Sequence, residues 1–169
     1  MGGSLGGKLQ MVKFVSIDSS TTSTGICLWE NNKLVHYRVL QPKHKEDTGE
    51  RIYEMTGLIM GVLDEWQPQA VFCETPQGHG ANVKLARMLG QVLGCIIGWC
   101  ANHKIEYMEM NPSVWRKWNG WEQGKLTRPE LKAMSLKMAK ERAGVDCKKC
   151  DDLADAINIG LGVIRHFER

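Results

Sequence analysis

The sequence has no apolar run approaching the length of a membrane span, which speaks against an integral membrane protein. It also has little net charge, since 22 Lys and Arg face 19 Asp and Glu for a formal balance of +3. Such a total neither announces nor excludes a nucleic-acid partner, because a mean charge is silent about placement. No signal peptide precedes the six cysteines, and four of these lie inside apolar runs, where a free thiol behaves as a small hydrophobe. The expectation is reduced cysteines and a cytoplasmic location. No internal repeat and no linker that would split the chain is present. With 169 residues, 43% hydrophobic and 24% charged, wholesale disorder is excluded and one core-bearing domain is expected. Met1-Gly-Gly-Ser-Leu-Gly-Gly reads as an appended linker over residues 1–10, leaving 11–169 as that domain.

What is present alternates between two periodicities. Residues 12–17 form a short apolar, β-rich run ending at Asp18. Residues 26–29 and 34–40 read as two further strands, with Glu30-Asn-Asn-Lys33 supplying hairpin turn chemistry. Residues 41–49 are polar and read as a solvated loop. Ile52, Met55, Ile59, Val62, Leu63 and Trp66 recur at helical spacing, and Pro68 follows that helix. Residues 70–73 have a buried-strand pattern ending at Glu74, residues 81–101 are helical, and 105–110 make the last strand. Thr127-Arg-Pro-Glu130 fits a capping box with Pro in the first turn of another helix, and a final helix covers 152–167. Three closely linked strands followed by alternating helices and strands predict an α/β fold built on a mixed five-stranded sheet flanked by helices.

Four carboxylates stand where chemistry needs them. Asp18 and Glu74 end two strands, and ligands of open α/β sheets gather beyond the carboxyl ends of strands. Asp152 and Asp155, three apart, share one face of the first turn of the last helix. Taken singly, each has a structural account as a turn residue or as a complement to a helix dipole. Taken together they repel unless cations neutralise them, and hard oxygen donors without His or Cys favour Mg²⁺ or Mn²⁺ over zinc.

In order along the chain, Ile17-Asp-Ser-Ser-Thr-Thr-Ser-Thr-Gly25, Phe72-Cys-Glu-Thr75, Lys84-Leu-Ala-Arg-Met-Leu-Gly-Gln-Val-Leu-Gly94 and Asp152-Leu-Ala-Asp-Ala156 resemble the motifs of RuvC-type Holliday junction resolvases. That family lies within the ribonuclease H-like superfamily, and this sequence looks most like its bacteriophage branch. The resemblance spans residues 13–167. It implies a ribonuclease H-like fold and a structure-selective DNA endonuclease. It implies two Mg²⁺ ions held by Asp18, Glu74, Asp152 and Asp155, with Mn²⁺ able to substitute. These would activate water and stabilise the leaving 3′ oxygen, giving 5′-phosphate ends. It also implies a homodimer acting on four-way or other branched DNA, in the host cytoplasm for a phage-encoded protein. Arg128 matches a basic position of the family that contacts the scissile region. Cellular resolvases place an aromatic shortly after the second acid. Here Gln77-Gly-His79 stands instead, so their base-unstacking device and cleavage-sequence preference do not carry over.

Between Asn111 and Lys149, ten Lys or Arg face four acids, a local balance of +6. Arg116, Lys117, Lys125, Arg128 and Lys132 form the expected phosphate-binding surface, with Gln77 and His79 beside the acids as further DNA contacts. Trp118 and Trp121, interleaved with the cations, are candidates for stacking on unpaired bases, whereas Trp115 is assigned mainly to packing. Gly90, Gly94 and Gly98 make a small-residue stripe on the helix expected to build the dimer. Cys147-Lys-Lys-Cys150 is a lone CxxC without two further zinc ligands at usual spacing. Two other readings remain at this level. One is a ribonuclease H-like nuclease acting on RNA or on generic flaps. The other is an actin-like nucleotide-binding protein, whose first phosphate loop residues 18–25 also resemble.

Overall fold

The computed structural model describes residues 13–44, 46–76, 83–121, 126–148 and 150–168. Five strands make one sheet: β1 (Lys13–Asp18), β2 (Thr24–Glu30), β3 (Lys33–Leu40), β4 (Ala70–Glu74) and β5 (Glu106–Met110). Their order is β3-β2-β1-β4-β5. β1, β2 and β3 pair antiparallel, while β4 runs parallel to both β1 and β5. Five helices complete the described chain: α1 (Thr48–Trp66), α2 (Val83–His103), α3 (Pro112–Trp118), α4 (Arg128–Ala143) and α5 (Asp151–Phe167). The mixed five-stranded α/β architecture expected from the sequence is the one observed.

The hairpin between β2 and β3 turns on Asn31 and Asn32, both with positive φ (50° and 63°), the backbone a type I′ turn requires and Asn tolerates. α1 begins at Thr48, inside the segment expected to be loop, because Asp47 caps it by accepting from the Glu50 amide at 2.8 Å. α4 starts just beyond Thr127 as its capping box predicts, with the Thr127 amide donating to Glu130 Oε2 at 2.7 Å. α3 was not foreseen. Its signal lies in Asn111-Pro112, an Asn at the cap position followed by Pro at the first helical residue.

Strand alternation divides the core between two faces. Val15 and Ile17 point to the side covered by α1 and α2, joining Ile59, Leu63 and Ile96. Phe14 points to the opposite side with Trp29, Phe72, Trp115 and Ile157, beneath α3, α4 and α5. Ser16, fully buried on this second face, donates to the Ala156 carbonyl at 2.7 Å and accepts from Trp29 Nε1 at 2.8 Å, tying α5 to the sheet.

α2 corrects one expectation. By length and composition it suffices to cross a membrane, with a mean hydropathy of 1.3 over its window. Its glycines and Gln91 interrupt the apolar run without adding charge, which is why the sequence conceals it. In this fold Val92, Leu93, Ile96, Trp99 and Cys100 bury into the sheet side. Only 28% of that window is buried within the chain.

α5 lies unusually close to the sheet because glycine permits it. A Cβ on Gly160 would stand 2.2 Å from the Trp29 indole. Gly160→Ala is therefore expected to lower stability by about 1–3 kcal/mol through overpacking, measured by urea unfolding at a pH held constant.

Candidate active site

β1 and β4 are parallel neighbours with Ile17 opposite Cys73, so Asp18 and Glu74 emerge together from one end of the sheet. The opposing wall comes from α5. Gly25, the register partner of Asp18 on β2, lacks the Cβ that would fall 2.2 Å from the Asp152 carbonyl oxygen and 2.7 Å from Leu153 Cα. The first turn of α5 therefore rests directly on the sheet edge and delivers Asp152 and Asp155 to the same opening. The Ser/Thr segment between β1 and β2 closes on itself, with Thr24 Oγ1 donating to the Ser20 carbonyl at 3.1 Å.

The result is a pocket of about 700 Å³ lined by Asp18, Glu74, Asp151, Asp152 and Asp155 together with Arg116, Arg128 and Lys132. Burial, then the charges of Glu74, Asp155 and Asp152, push the Asp18 carboxyl well above its ordinary range, with Arg116 opposing. Glu74 is raised to about 7, first by burial and then by Asp155, against the hydrogen bond from Trp115 and the charge of Arg116. Burial also raises Asp152 and Asp155. Asp151 is held in an ion pair with Lys132.

The donor set fits a hard divalent cation in chemistry and charge. Four carboxylates oppose one another's ionisation, and Ser19 Oγ beside Asp18 is buried without a hydrogen-bond partner. The side chains stand around the pocket rather than closing on one point. Among the described residues no three His, Cys, Asp or Glu are grouped to hold a metal.

The other expected site residues divide sharply. Arg128 and Lys132 line the pocket from α4. Arg116 lines it too, but set among the acids as their counter-charge. Lys117 is exposed on α3 outside the pocket lining. Trp118 is half-buried and stacks on His166 with centroids 4.0 Å apart. Trp121 is a correction. At 8% exposure and edge-on to Trp115, it belongs to the core and offers no face to a base. Gln77, His79 and Lys125 lie outside the described residues.

Two side chains at the site were not assigned to it from the sequence. Trp115, buried as expected of a packing residue, also donates from Nε1 to Glu74 Oε2 at 2.8 Å. Ser135 on α4 donates to Asp155 Oδ1. Neither has a sequence signal, because both bonds bridge segments 20 or more residues apart.

Fold and pocket together define an α/β protein with an acidic centre at one end of a mixed five-stranded sheet. Residues 11–165 match the model of the family described as Lactococcus phage M3 protein, and the chain belongs to that family. No curated protein sequence matches it. Among solved structures it is similar to Thermus thermophilus RuvC in complex with a Holliday junction substrate, at 20% identity and a TM-score of 0.69 over 91% of this chain and 94% of that one. It is also similar to Fowlpox virus resolvase in complex with Holliday junction DNA, at 16% identity and a TM-score of 0.65 over 93% and 99%. The yeast mitochondrial Holliday junction resolvase matches at 15% identity and a TM-score of 0.63 over 94% and 80%. The fold is that of the RuvC-type resolvases.

Raised carboxyl values carry a pH signature. A carboxyl whose folded value exceeds its unfolded value of 4.5 stabilises the fold at low pH, and that contribution is lost as pH climbs to about 7 for Glu74. In EDTA, wild-type stability is expected to fall between pH 4.5 and pH 7.5. Glu74→Gln, which removes this group and its repulsion of Asp18, is expected to flatten the fall in urea melts across that range.

Proposed function

We propose that this protein is a structure-selective DNA endonuclease that resolves four-way junctions or related branched DNA. The observation that carries the reading is the pocket itself, which brings the strand-end and helix-start carboxylates together with Arg116, Arg128 and Lys132. Arg128 at the start of α4 suits a phosphate, and the acids suit the metal ions that phosphodiester hydrolysis uses. The similarity in fold to resolvases captured with Holliday junctions adds the branched substrate.

Asp18, Glu74, Asp152 and Asp155 would hold two Mg²⁺, which supply a water activated for in-line attack and stabilise the leaving 3′ oxygen. The protein's own residues do the rest. Trp115 fixes the Glu74 carboxylate through its indole N–H, and Ser135 holds Asp155. Arg128, at the start of α4, draws the scissile phosphate into the pocket. Arg116 tempers the repulsion among the acids until the cations arrive. Cleavage leaves a 5′-phosphate.

A symmetric junction suits a symmetric enzyme, and α2 supports a homodimer. Gly90, Gly94 and Gly98 are exposed, and a Cβ at each would meet only open space, so the stripe is turned away from this chain's own core. A phage-encoded enzyme of this kind acts in the host cytoplasm.

Asp18→Asn is expected to keep four-way-junction binding in gel shifts while abolishing cleavage in Mg²⁺, and full activity in that variant excludes the metal mechanism. Arg128→Ala is expected to slow single-turnover cleavage by at least tenfold with an unchanged melting temperature. Parallel assays on four-way junction, fork, flap and RNA-containing duplexes separate junction resolution from the alternative of a general flap or RNA nuclease.

A further inference from the structure

Asp155 is gripped by a buried polar chain that neither the acidic nor the basic motifs include. Ser135, 2% exposed on α4, donates to Asp155 Oδ1. Asn158, fully buried one turn further along α5, places its Nδ2 2.9 Å from Ser135 Oγ, 3.0 Å from the Ser135 carbonyl and 2.8 Å from the Ala154 carbonyl. Carbonyl oxygens only accept, so this end of the Asn158 amide has to be its NH₂, which has no acceptor capacity. Its two hydrogens are shared among three acceptors, one of them Ser135 Oγ, which cannot donate in return, so the single Ser135 hydroxyl hydrogen is directed to Asp155. An ionised carboxylate only accepts, so the sequence Asn158 to Ser135 to Asp155 has one consistent polarity.

The chain is anchored at its far end as well. Asn119 Nδ2 donates to the Asn158 carbonyl at 2.7 Å, and Arg165 Nη1 donates to the Asn119 carbonyl at 2.7 Å, which joins α3 to α5. The arrangement is not the cheapest packing. Asn158 Oδ1 is buried without a hydrogen-bond partner, a cost that an apolar residue between α4 and α5 would avoid. Ser135 also sits three residues beyond Lys132, so α4 brings a pocket cation and this hydroxyl to the site on one rigid element.

We infer that Ser135 and Asn158 are positioning residues for Asp155, fixing one of its carboxylate oxygens and presenting the group as an acceptor for a divalent cation. This rests on the proposed reading of the acidic pocket as a metal site. Neither side chain touches substrate. Each acts through Asp155.

The test is Mn²⁺ binding to metal-free protein, followed by electron paramagnetic resonance, with thermal melts in EDTA as the control for folding. Ser135→Ala is expected to weaken Mn²⁺ binding about tenfold while its melt stays cooperative. Ser135→Thr, which keeps the hydroxyl, is expected to bind as wild type. Asn158→Ala, which frees the Ser135 hydroxyl to rotate, is expected to weaken binding about threefold, and it supplies a second reading if one variant folds poorly. Unchanged Mn²⁺ affinity in folded Ser135→Ala overturns the inference. Unchanged affinity in Asp155→Asn overturns instead the reading of the pocket on which it depends.

Discussion

At Gly25 the backbones of β2 and α5 come so close that any side chain would collide with the Asp152 carbonyl. The acidic pocket depends on this contact. Asp18 and Glu74 are set by parallel pairing within the sheet, but Asp152 and Asp155 arrive only because the start of α5 can rest on the strand opposite Asp18. Gly160 against Trp29, and Ser16 bonded to the Ala156 carbonyl, hold the next turns of the same helix down. A helix docked a few ångströms further out would preserve the fold class and lose the constellation.

Bringing those carboxylates together has an electrostatic cost that the structure leaves partly uncompensated. Burial raises all four, neighbouring carboxylates add to it, and Arg116 relieves only part of it at Asp18, Glu74 and Asp155. Two neutral donors, Trp115 to Glu74 and Ser135 to Asp155, hold individual carboxylates without adding charge. A buried lysine in either place would have neutralised the site and closed it to cations. Neutral donors orient the acids and keep their charge available. The small formal charge of +3 is thus a sum over opposing contributions, the clustered acids and the basic stretch between residues 111 and 149.

Much of the fold was legible because it is written in local pattern. Apolar runs ending at Asp18 and Glu74, the Asn-Asn turn, and the 3.6-residue spacing of Met55, Ile59 and Leu63 each act over a few residues. The boundaries that slipped were set by single capping side chains. Asp47 extended α1 backwards, and Asn111-Pro112 started a helix too short to show periodicity. α2 is long and apolar enough to span a membrane although no unbroken apolar run marks it in the sequence, because its glycines and Gln91 interrupt the run without carrying charge. Trp121 was placed with the DNA contacts because its neighbours in sequence are charged, whereas its neighbours in space are core.

The sequence by itself determined which residues are acidic, where the strands that present two of them end, and that the other two share one helical face. Those are properties of composition and of short-range periodicity. Only the tertiary structure decided that the two pairs line one pocket, that Arg116 stands among them, and that Trp115 and Ser135 bond two of these acids while Asn158 bonds Ser135. Such decisions turn on contacts between segments 20 to 140 residues apart, fixed by how closely a glycine lets one backbone approach another. Local spacing carries no record of that distance.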